Sequence, residues 1–300
     1  MATTSVLGVP HYYQLTMEGS KPPLVFIHGW LLSHRYWQPI VDRLSPDHPC
    51  LVYDLRGFGE SRYHLEGHSP GVPAAATALG ASTSPYGLGA YSRDLAALLG
   101  QLNLGPVWLV GHSLGGSVAL WMAHCFPDLV QGVVCLNSGG GIYLEREFQQ
   151  FRQAGQSIVQ WRSPWLGRLP LLPLLLTRMM VHQPLAYRWG RDRCLDLLQA
   201  APEAALGSLL ESTTEAEVHL LPQLVAALQQ PVYFVAGRQD QVMNIRYVNH
   251  LAGYLAASSQ GQTPVIELEN CGHLAMLEQP QAVAKVLREI LANPYSLPSA

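Results

Sequence analysis

The sequence is poor in charge and has no excess of positive residues. Only 13% of its 300 residues are charged, and 18 Lys and Arg stand against 21 Asp and Glu, a formal net charge of −3. Nucleic-acid binding generally requires a basic patch or stripe, so this composition argues against a nucleic-acid partner. Hydrophobic residues make up 48% of the chain. A chain of this size can bury one large core, and we expect one main domain with an inserted subdomain.

Cysteine is also scarce and forms no pattern that indicates a metal site or a disulfide framework. The cysteines are odd in number, scattered and free of CxxC pairs: Cys50, Cys125, Cys135, Cys194 and Cys271. This usage is typical of a reducing compartment, so we expect a cytoplasmic protein without a zinc cluster.

No apolar run approaches the roughly 20 residues that a membrane-spanning helix needs. The longest candidate, 169–176, contains Pro173 and lies between Arg168 and Arg178. Residues 1–10 lack the charged start and the apolar run of a signal peptide. We therefore expect no transmembrane segment, while peripheral contact with a membrane surface stays open.

Short apolar runs alternate with helix-like segments along most of the chain. This alternation predicts the α/β fold class, with a mostly parallel central sheet flanked by helices on both faces. The predicted strands are 12–17, 24–28, 50–53, 107–110, 133–136, 232–236 and 265–267. The predicted helices, with apolar residues at spacings of three and four, are 91–102, 114–126, 246–257 and 281–291.

Two stretches depart from this alternation. Residues 63–89 are rich in Ala, Ser, Gly, Pro and Thr, which predicts a long surface loop. Residues 139–222 contain no convincing strand and are predicted to be helical, and we interpret them as a lid inserted over the active face. The expected organisation is a core domain in two parts, 1–138 and 223–300, with the helical lid at 139–222.

The most specific motif is Gly111-His112-Ser113-Leu114-Gly115. It follows the run 107–110 and precedes a helix-like segment, which is the strand–turn–helix context of a nucleophile elbow. The glycines would let the chain bend so tightly that Ser113 is held in a strained conformation, with its hydroxyl above the sheet. The N-terminus of the following helix favours negative charge there. A glycine-rich turn that merely joins strand to helix is the alternative, and the context favours the nucleophile.

Four further short motifs occur along the chain. They are His28-Gly29-Trp30, Asp54-Leu55-Arg56-Gly57-Phe58-Gly59-Glu60-Ser61, Gly237-Arg238-Gln239-Asp240 and Gly272-His273. Together with the elbow, and in this order, they make the chain resemble the α/β-hydrolase family over nearly its whole length. The stretch 141–168 resembles in particular uncharacterised cyanobacterial members. The resemblance implies the α/β-hydrolase fold and functional residues in the chain order Ser, Asp, His.

A serine hydroxyl needs a neighbouring imidazole to accept its proton, and an anion must orient that imidazole. Among 12 histidines, His273 follows the last predicted strand, at the sheet edge where Ser113 is expected, and the family places its catalytic histidine there. The resemblance likewise assigns the acid to Asp240. The rival location, after the strand 133–136, offers no carboxylate. Asp54 is the main competitor, but the family uses it to brace a loop.

Acyl transfer builds negative charge on the substrate oxygen, and two backbone N–H groups can each lower the barrier by about 3 kcal/mol. We expect these donors to be Leu114, directly after the nucleophile, and Trp30, in the turn after the second predicted strand. His28 and His112 are further candidates for the substrate pocket, although support of the neighbouring backbone is the simpler interpretation of both.

The predicted lid contains an unusually apolar tract that includes Trp161, Trp165 and residues 169–180. Two interpretations stay open. The tract could form a hydrophobic acyl or alcohol pocket with an entrance at a bilayer, or it could simply pack the lid onto the main domain. The first interpretation would place Trp161 and Trp165 at the pocket and favours a lipophilic substrate.

These residues together predict a serine hydrolase that cleaves a small-molecule carboxylic ester, with no metal or organic cofactor. Dehalogenases and epoxide hydrolases share the fold but use an aspartate nucleophile, so Ser113 argues against them. Carbon–carbon bond hydrolases, cofactor-free perhydrolases and small-molecule receptors that retain the three residues stay as alternatives.

Overall fold

A mostly parallel, eight-stranded sheet forms the centre of the molecule. The computed structural model describes residues 2–62, 74–78, 80, 82–141, 144–256 and 264–294. The strands are β1 (Ala2–Val6), β2 (Val9–Thr16), β3 (Leu24–Ile27), β4 (Cys50–Tyr53), β5 (Val107–His112), β6 (Val130–Leu136), β7 (Val232–Gly237) and β8 (Val265–Leu268). Their order is β1-β2-β4-β3-β5-β6-β7-β8. The β1–β2 and β2–β4 pairs are antiparallel and all other pairs are parallel, so the predicted fold class is confirmed.

Helices pack on both faces of this sheet. They are α1 (Gln38–Leu44), α2 (Ala74–Ala78), α3 (Leu88–Gln101), α4 (Leu114–Cys125), α5 (Glu145–Trp161), α6 (Leu172–Arg178), α7 (Tyr187–Gln199), α8 (Pro202–Ser212), α9 (Glu215–Ala227), α10 (Ile245–Ala252), α11 (Ala275–Glu278) and α12 (Pro280–Ala292). Short 3-10 turns lie at His34–Trp37, Gly59–Ser61, Pro127–Leu129 and Pro164–Arg168.

The hydrophobic core is divided between the two faces of the sheet. Successive side chains of a strand point to opposite faces, so Val25 and Ile27 of β3 pack with α3 and α4. Leu24 and Phe26 of the same strand pack with α1 and α12. Strands covered on both sides are apolar at nearly every position, which explains why the central strands could be predicted from short apolar runs.

The predicted strands correspond to β2 through β8, whereas β1 was missed. β1 is an edge strand of sequence ATTSV whose side chains are mostly exposed, so it carries no apolar run. The predicted helix 91–102 begins earlier, at Leu88, and the predicted helix 246–257 ends at Ala252. Within the predicted loop 63–89, α2 and the start of α3 are helical. Residues 63–73, 79 and 81 of that loop lie outside the described residues.

In its described residues, the segment between β6 and β7 contains no strand and forms the helices α5 to α9 with connecting turns between them. The predicted boundary at residue 222 falls inside α9, which continues to Ala227. A proline inside a helix, such as Pro222, removes one backbone hydrogen bond. Here the buried neighbours Val218, Leu221 and Val225 hold the helix together across that gap. We call residues 139–231 the insertion.

The strand order places a natural binding crevice at the carboxyl ends of β3 and β5. From β3 the chain continues to β4 on one side, and β5 then pairs on the other side. Ligands of open α/β sheets bind at such a switch point, outside the carboxyl ends of the strands. The segments after β3 and β5 carry Trp30 and Ser113.

All five cysteines are free. Within the described ranges, no helix combines the length and apolarity needed to span a bilayer.

Candidate active site

Ser113 occupies a tight turn between β5 and α4. Its backbone has φ 52° and ψ −119°, a conformation that side-chain-bearing residues rarely adopt. A Cβ at Gly111 would lie 2.2 Å from the Gly115 carbonyl oxygen, and a Cβ at Gly115 would lie 2.3 Å from the Ile27 carbonyl oxygen. Both positions therefore require glycine, as the sequence pattern predicts.

Unusual backbone conformations recur at the carboxyl ends of the three central strands. Leu31 (φ 53°), Ser113 (φ 52°) and Asn137 (φ 48°) follow β3, β5 and β6. Each such conformation costs of the order of 1–3 kcal/mol, and residues of this kind cluster at functional sites. The strain is thus concentrated at the edge of the sheet where the predicted residues lie.

His273 and Asp240 form a buried pair after β8 and β7. The His273 Nδ1 atom lies 2.7 Å from Asp240 Oδ2, and both residues are almost completely buried. The other carboxylate oxygen, Oδ1, accepts the backbone N–H groups of Val242 (2.8 Å) and Met243 (2.9 Å). These bonds fix the orientation of the carboxylate, so it can hold the imidazole with Nε2 free.

The His273 loop packs directly against the elbow. His112 Nε2 lies 2.7 Å from the His273 carbonyl oxygen, to which it can only donate, and the two rings have centroids 4.7 Å apart. Among the described residues, no hydrogen bond joins the Ser113 hydroxyl to the His273 ring. In a site without substrate such bonds are often long, and they shorten when the reacting complex forms.

Two residues at the end of β6 complete this arrangement, and sequence reasoning missed both. Asn137 Nδ2 donates to Asp240 Oδ2 (2.8 Å) and to the Gly272 carbonyl oxygen (3.1 Å). The Ser138 hydroxyl donates to the carbonyl oxygen of Ser113 (2.8 Å). The only available signal was their position after β6, where a carboxylate is absent. An amide there can still orient the acid from the next strand.

Ser113 opens into a narrow cavity of about 70 Å³. Its lining is mostly apolar: Trp30, Ser113, Leu114, Ser117, Ser138, Gly140, Gly141, Phe148, Phe151, Leu209, Ser212, Thr213 and Met243. The insertion supplies Phe148 and Phe151 from α5 and Leu209 from α8. The insertion is therefore one wall of the site.

Trp30 and Leu114, the two expected backbone donors, both line this cavity beside Ser113. Within the described part of the chain, neither main-chain N–H donates a hydrogen bond to a protein acceptor. The Trp30 indole is held by the insertion, since its Nε1 donates to the Ala205 carbonyl oxygen (2.7 Å). Two unused N–H groups beside a nucleophile could stabilise an oxyanion.

The match to a family model, described as "Alpha/beta hydrolase family", covers residues 24–286. The chain belongs to this family. A relative from Enterobacter sp. (strain 638), named 2-succinyl-6-hydroxy-2,4-cyclohexadiene-1-carboxylate synthase, is 30% identical over 273 residues, or 90% of this chain and 92% of the relative.

Solved structures resemble this α/β hydrolase over nearly its full length. A bromoperoxidase from Bacillus anthracis has a TM-score of 0.74 at 19% identity, covering 97% of this chain and 99% of that one. A thermophilic esterase from Thermogutta terrifontis has a TM-score of 0.70 at 21% identity, covering 98% and 97%. At these identities the likeness establishes the fold alone.

The four residues predicted for the substrate pocket of this α/β hydrolase are not among the described residues that line the cavity at Ser113. Trp161 and Trp165 are 81% and 57% exposed on the outer surface of the insertion, so neither lines the cavity. Their apolar spacing indicated a pocket, but the helices carrying them turn these rings to solvent. His28 and His112 are fully buried. Burial lowers the pKa of both imidazoles, which act as neutral hydrogen-bonding groups.

His28 and Asp54 hold the backbone around the site. His28 Nδ1 lies 2.8 Å from the Gly29 carbonyl oxygen, and its Nε2 accepts the Leu55 N–H (2.9 Å). Asp54 accepts the N–H groups of His34 (2.6 Å) and Glu60 (2.8 Å). The loop-bracing role expected of Asp54 is what these contacts provide.

Glu278 of α11 is a further residue that sequence reasoning missed. Its buried carboxylate accepts the N–H groups of Gly272 (3.0 Å) and Leu274 (3.2 Å), which flank His273. It also accepts those of His182 (2.7 Å) and Gln183 (2.9 Å) in the insertion. One carboxylate thus ties the histidine loop to the insertion.

Arg193 of α7 was missed as well. Its Nε and Nη1 atoms are buried and have no hydrogen-bond partner in the described chain. The acid on the same helix face, Asp196, forms an ion pair with Arg35 (3.3 Å), and its negative charge also acts on Arg193 without a hydrogen bond between them. Burial, the charge of His273 and the charge of Arg193 all lower the pKa of His112, which indicates that this guanidinium lies near the elbow. A buried guanidinium without a partner can bind an anionic group.

Neighbouring contacts fix the position of Arg193 in this α/β hydrolase. Trp189, one turn earlier, has its ring centroid 6.1 Å from that of Tyr36. Asp196, nearly one turn later, accepts the Ser33 hydroxyl (2.9 Å). Arg193 therefore faces the turn after β3, the same turn that carries Trp30. The part of the chain that is described contains no group of three or more His, Cys, Asp or Glu side chains suited to a metal ion.

Proposed function

We propose that this α/β hydrolase is a serine esterase that cleaves a lipophilic carboxylic ester through an acyl-enzyme. The observation that carries the proposal is that the turn of Ser113, an apolar cavity and the His273–Asp240 pair meet at one place. Ser113 lines an apolar cavity, and the buried His273–Asp240 pair packs against the adjacent residue His112. The apolar walls of that cavity support a lipophilic substrate.

In the first step His273 Nε2 takes the proton of the Ser113 hydroxyl as its oxygen attacks the ester carbonyl. The N–H groups of Trp30 and Leu114 would hold the resulting oxyanion, and Asp240 would stabilise the imidazolium. The carbon–oxygen bond then breaks, and the alcohol leaves with the proton from His273. Water, deprotonated by the same imidazole, attacks the acyl-enzyme, and the acid leaves as Ser113 recovers its proton.

The insertion would act as a lid in this scheme. It supplies Phe148, Phe151 and Leu209 to the cavity and contacts the Trp30 indole through Ala205. A wall of this kind excludes water from the site and selects the substrate by its shape and polarity.

Labelling with a fluorophosphonate probe tests the nucleophile. We expect a single modified residue, Ser113, and no labelling of Ser113→Ala. Hydrolysis of p-nitrophenyl esters from acetate to palmitate then tests the substrate, with kcat/KM expected to rise from acetate toward medium chains. Labelling that persists in Ser113→Ala would contradict the mechanism, whereas activity confined to acetate would contradict only the lipophilic substrate. Product analysis separates ester cleavage from perhydrolysis.

A second candidate function is carbon–carbon or related cleavage of a carboxylate-bearing substrate by the same three residues. Two observations favour it. The Nε and Nη1 atoms of Arg193 are buried without a hydrogen-bond partner among the described residues, and the Enterobacter relative is named as a synthase of a cyclohexadiene carboxylate. In this version Arg193 would bind the substrate carboxylate while Ser113 and His273 perform the chemistry.

Substitution of Arg193 distinguishes the two candidates. If Arg193 binds a carboxylate, Arg193→Met should slow turnover of a p-nitrophenyl hemisuccinate about 10- to 100-fold, the value of a charge-assisted hydrogen bond, and leave p-nitrophenyl butyrate unchanged. Arg193→Lys should recover part of the loss. Arg191→Met, an exposed arginine of the same helix, is the matched control. Equal effects on both esters would rule out the carboxylate site.

A further inference from the structure

The outer surface of the insertion exposes an unusual number of large apolar side chains. They are Ile158, Trp161, Trp165, Leu169, Leu171, Leu174, Leu175 and Met179. Leu171 is 71% exposed and Met179 is 63% exposed. Scattered exposed apolar residues are ordinary, but a concentration in one segment marks an interaction surface.

The charges of this segment all have one sign. Residues 148–191 contain six arginines and no Asp, Glu or Lys, in a chain whose net charge is −3. Arg168, Arg178, Arg188 and Arg191 are exposed. None of these four forms an ion pair with a carboxylate of the described residues, so their charge is available to a partner.

The apolar and basic side chains form one surface. One groove is lined by Leu169, Pro170, Arg188 and Arg191, with the acid Asp192 beside them, and it meets a second groove lined by Leu174, Leu175 and Arg178. Tyr187 borders both. The Tyr187 hydroxyl donates to the Pro170 carbonyl oxygen (3.1 Å), which fixes α7 against the 3-10 turn and α6. We call the surface of residues 161–191 the basic apolar face.

We propose that the basic apolar face docks this protein on the surface of an anionic lipid bilayer. Trp rings settle at the level of lipid headgroups, leucines and methionines enter the acyl boundary, and arginines are attracted to anionic headgroups. A second copy of the same chain fits this face poorly, because a symmetric contact would bring arginines against arginines, with Asp192 as the one acid among the described residues that line the two grooves.

The face ends at the candidate active site. The Met180 carbonyl oxygen accepts the His273 backbone N–H (2.8 Å), one residue after the exposed Met179. Glu278 binds the next backbone N–H groups, at His182 and Gln183. Docking through this face would therefore bring the loop that carries His273 close to the lipid, where a lipophilic substrate is concentrated. The docking itself needs no turnover, so it stands apart from the proposed function.

Co-sedimentation with vesicles tests the proposal. We expect binding to vesicles of phosphatidylcholine with 30% phosphatidylglycerol and little binding to pure phosphatidylcholine. Arg168→Gln/Arg178→Gln should weaken binding about 30-fold, at about 1 kcal/mol for each arginine near the membrane surface. Leu171→Ser/Met179→Ser should also weaken it.

Two controls remove exposed charge and an exposed apolar side chain elsewhere on the surface. Lys21→Gln/Lys285→Gln removes two exposed positive charges, and Met17→Ser removes a side chain that is 71% exposed. Both should bind like the wild type, and circular dichroism should show that every variant is folded. Absence of binding to anionic vesicles, equal binding to both vesicle types, or an equal loss in the lysine control would overturn the proposal.

Discussion

The replacement Glu278→Gln tests whether one buried carboxylate sets the position of the histidine loop. Its two oxygens accept four backbone N–H groups, at His182, Gln183, Gly272 and Leu274. A glutamine retains one oxygen and places an NH₂ donor where the other stood. The oxygen that binds His182 and Gln183 also accepts the Gly272 N–H (3.0 Å), so if it stays in place only the Leu274 N–H loses its acceptor. At about 1–3 kcal/mol for one unsatisfied buried donor, the free energy of unfolding should fall by roughly 1–3 kcal/mol.

The same substitution should lower kcat more than it changes KM. The affected N–H group belongs to Leu274, directly after the proposed base His273, and a displacement of about 1 Å at a reacting group can reduce the rate about 100-fold. Urea unfolding and hydrolysis of a p-nitrophenyl ester would measure the two effects. Glu289→Gln on α12, which pairs with Lys285 at the surface, is the control. A Glu278→Gln protein with wild-type stability and kcat would refute this reasoning.

Three further substitutions follow from the same contacts. Asp240→Asn should lower kcat by about four orders of magnitude in ester assays, as in serine proteases, because the amide favours the wrong imidazole tautomer; a loss under tenfold would exclude Asp240 as the orienting acid. Gly115→Ala should yield little folded protein on expression, since its Cβ would meet the Ile27 carbonyl oxygen at 2.3 Å; a soluble, active variant would contradict this. Burial raises the pKa of Glu217 from 4.5 to about 7. Folding therefore favours its protonated form, and this contribution to stability is lost as pH rises from about 4 through 7. Glu217→Gln should match the wild type near pH 4 and exceed its unfolding free energy by up to about 3 kcal/mol at pH 8. Urea titrations at both pH values measure this difference, and equal stabilities at pH 8 would disprove the inference.

The sequence pattern predicted the structure correctly at positions where burial or steric contact restricts which residues fit. The central strands are covered on both faces, so their apolar runs are visible in the sequence. The turn at Ser113 needs glycines at 111 and 115 because backbone atoms occupy the space of a Cβ. The fold class followed from these features.

The remainder of the site depends on contacts between distant residues. Asn137, Glu278 and Arg193 are ordinary residue types, and only the folded chain brings them to Asp240, to the His273 loop and to the turn after β3. The exposure of Trp161 and Trp165 is likewise determined by contacts between distant residues. Apolar spacing shows that a helix has an apolar side, but whether that side faces a core, a cavity or solvent is decided by the packing of the other helices. β1 was not predicted because an exposed edge strand needs no apolar run.

The φ angle of 52° at Ser113 means that the proposed nucleophile is also among the most strained of the described residues. Glycine would adopt this conformation freely, so Ser113→Gly should give a protein that resists unfolding better and has no nucleophile. Thermal stability and catalytic activity therefore place opposite demands on residue 113. A screen of variants for heat resistance alone would tend to select the loss of the serine hydroxyl.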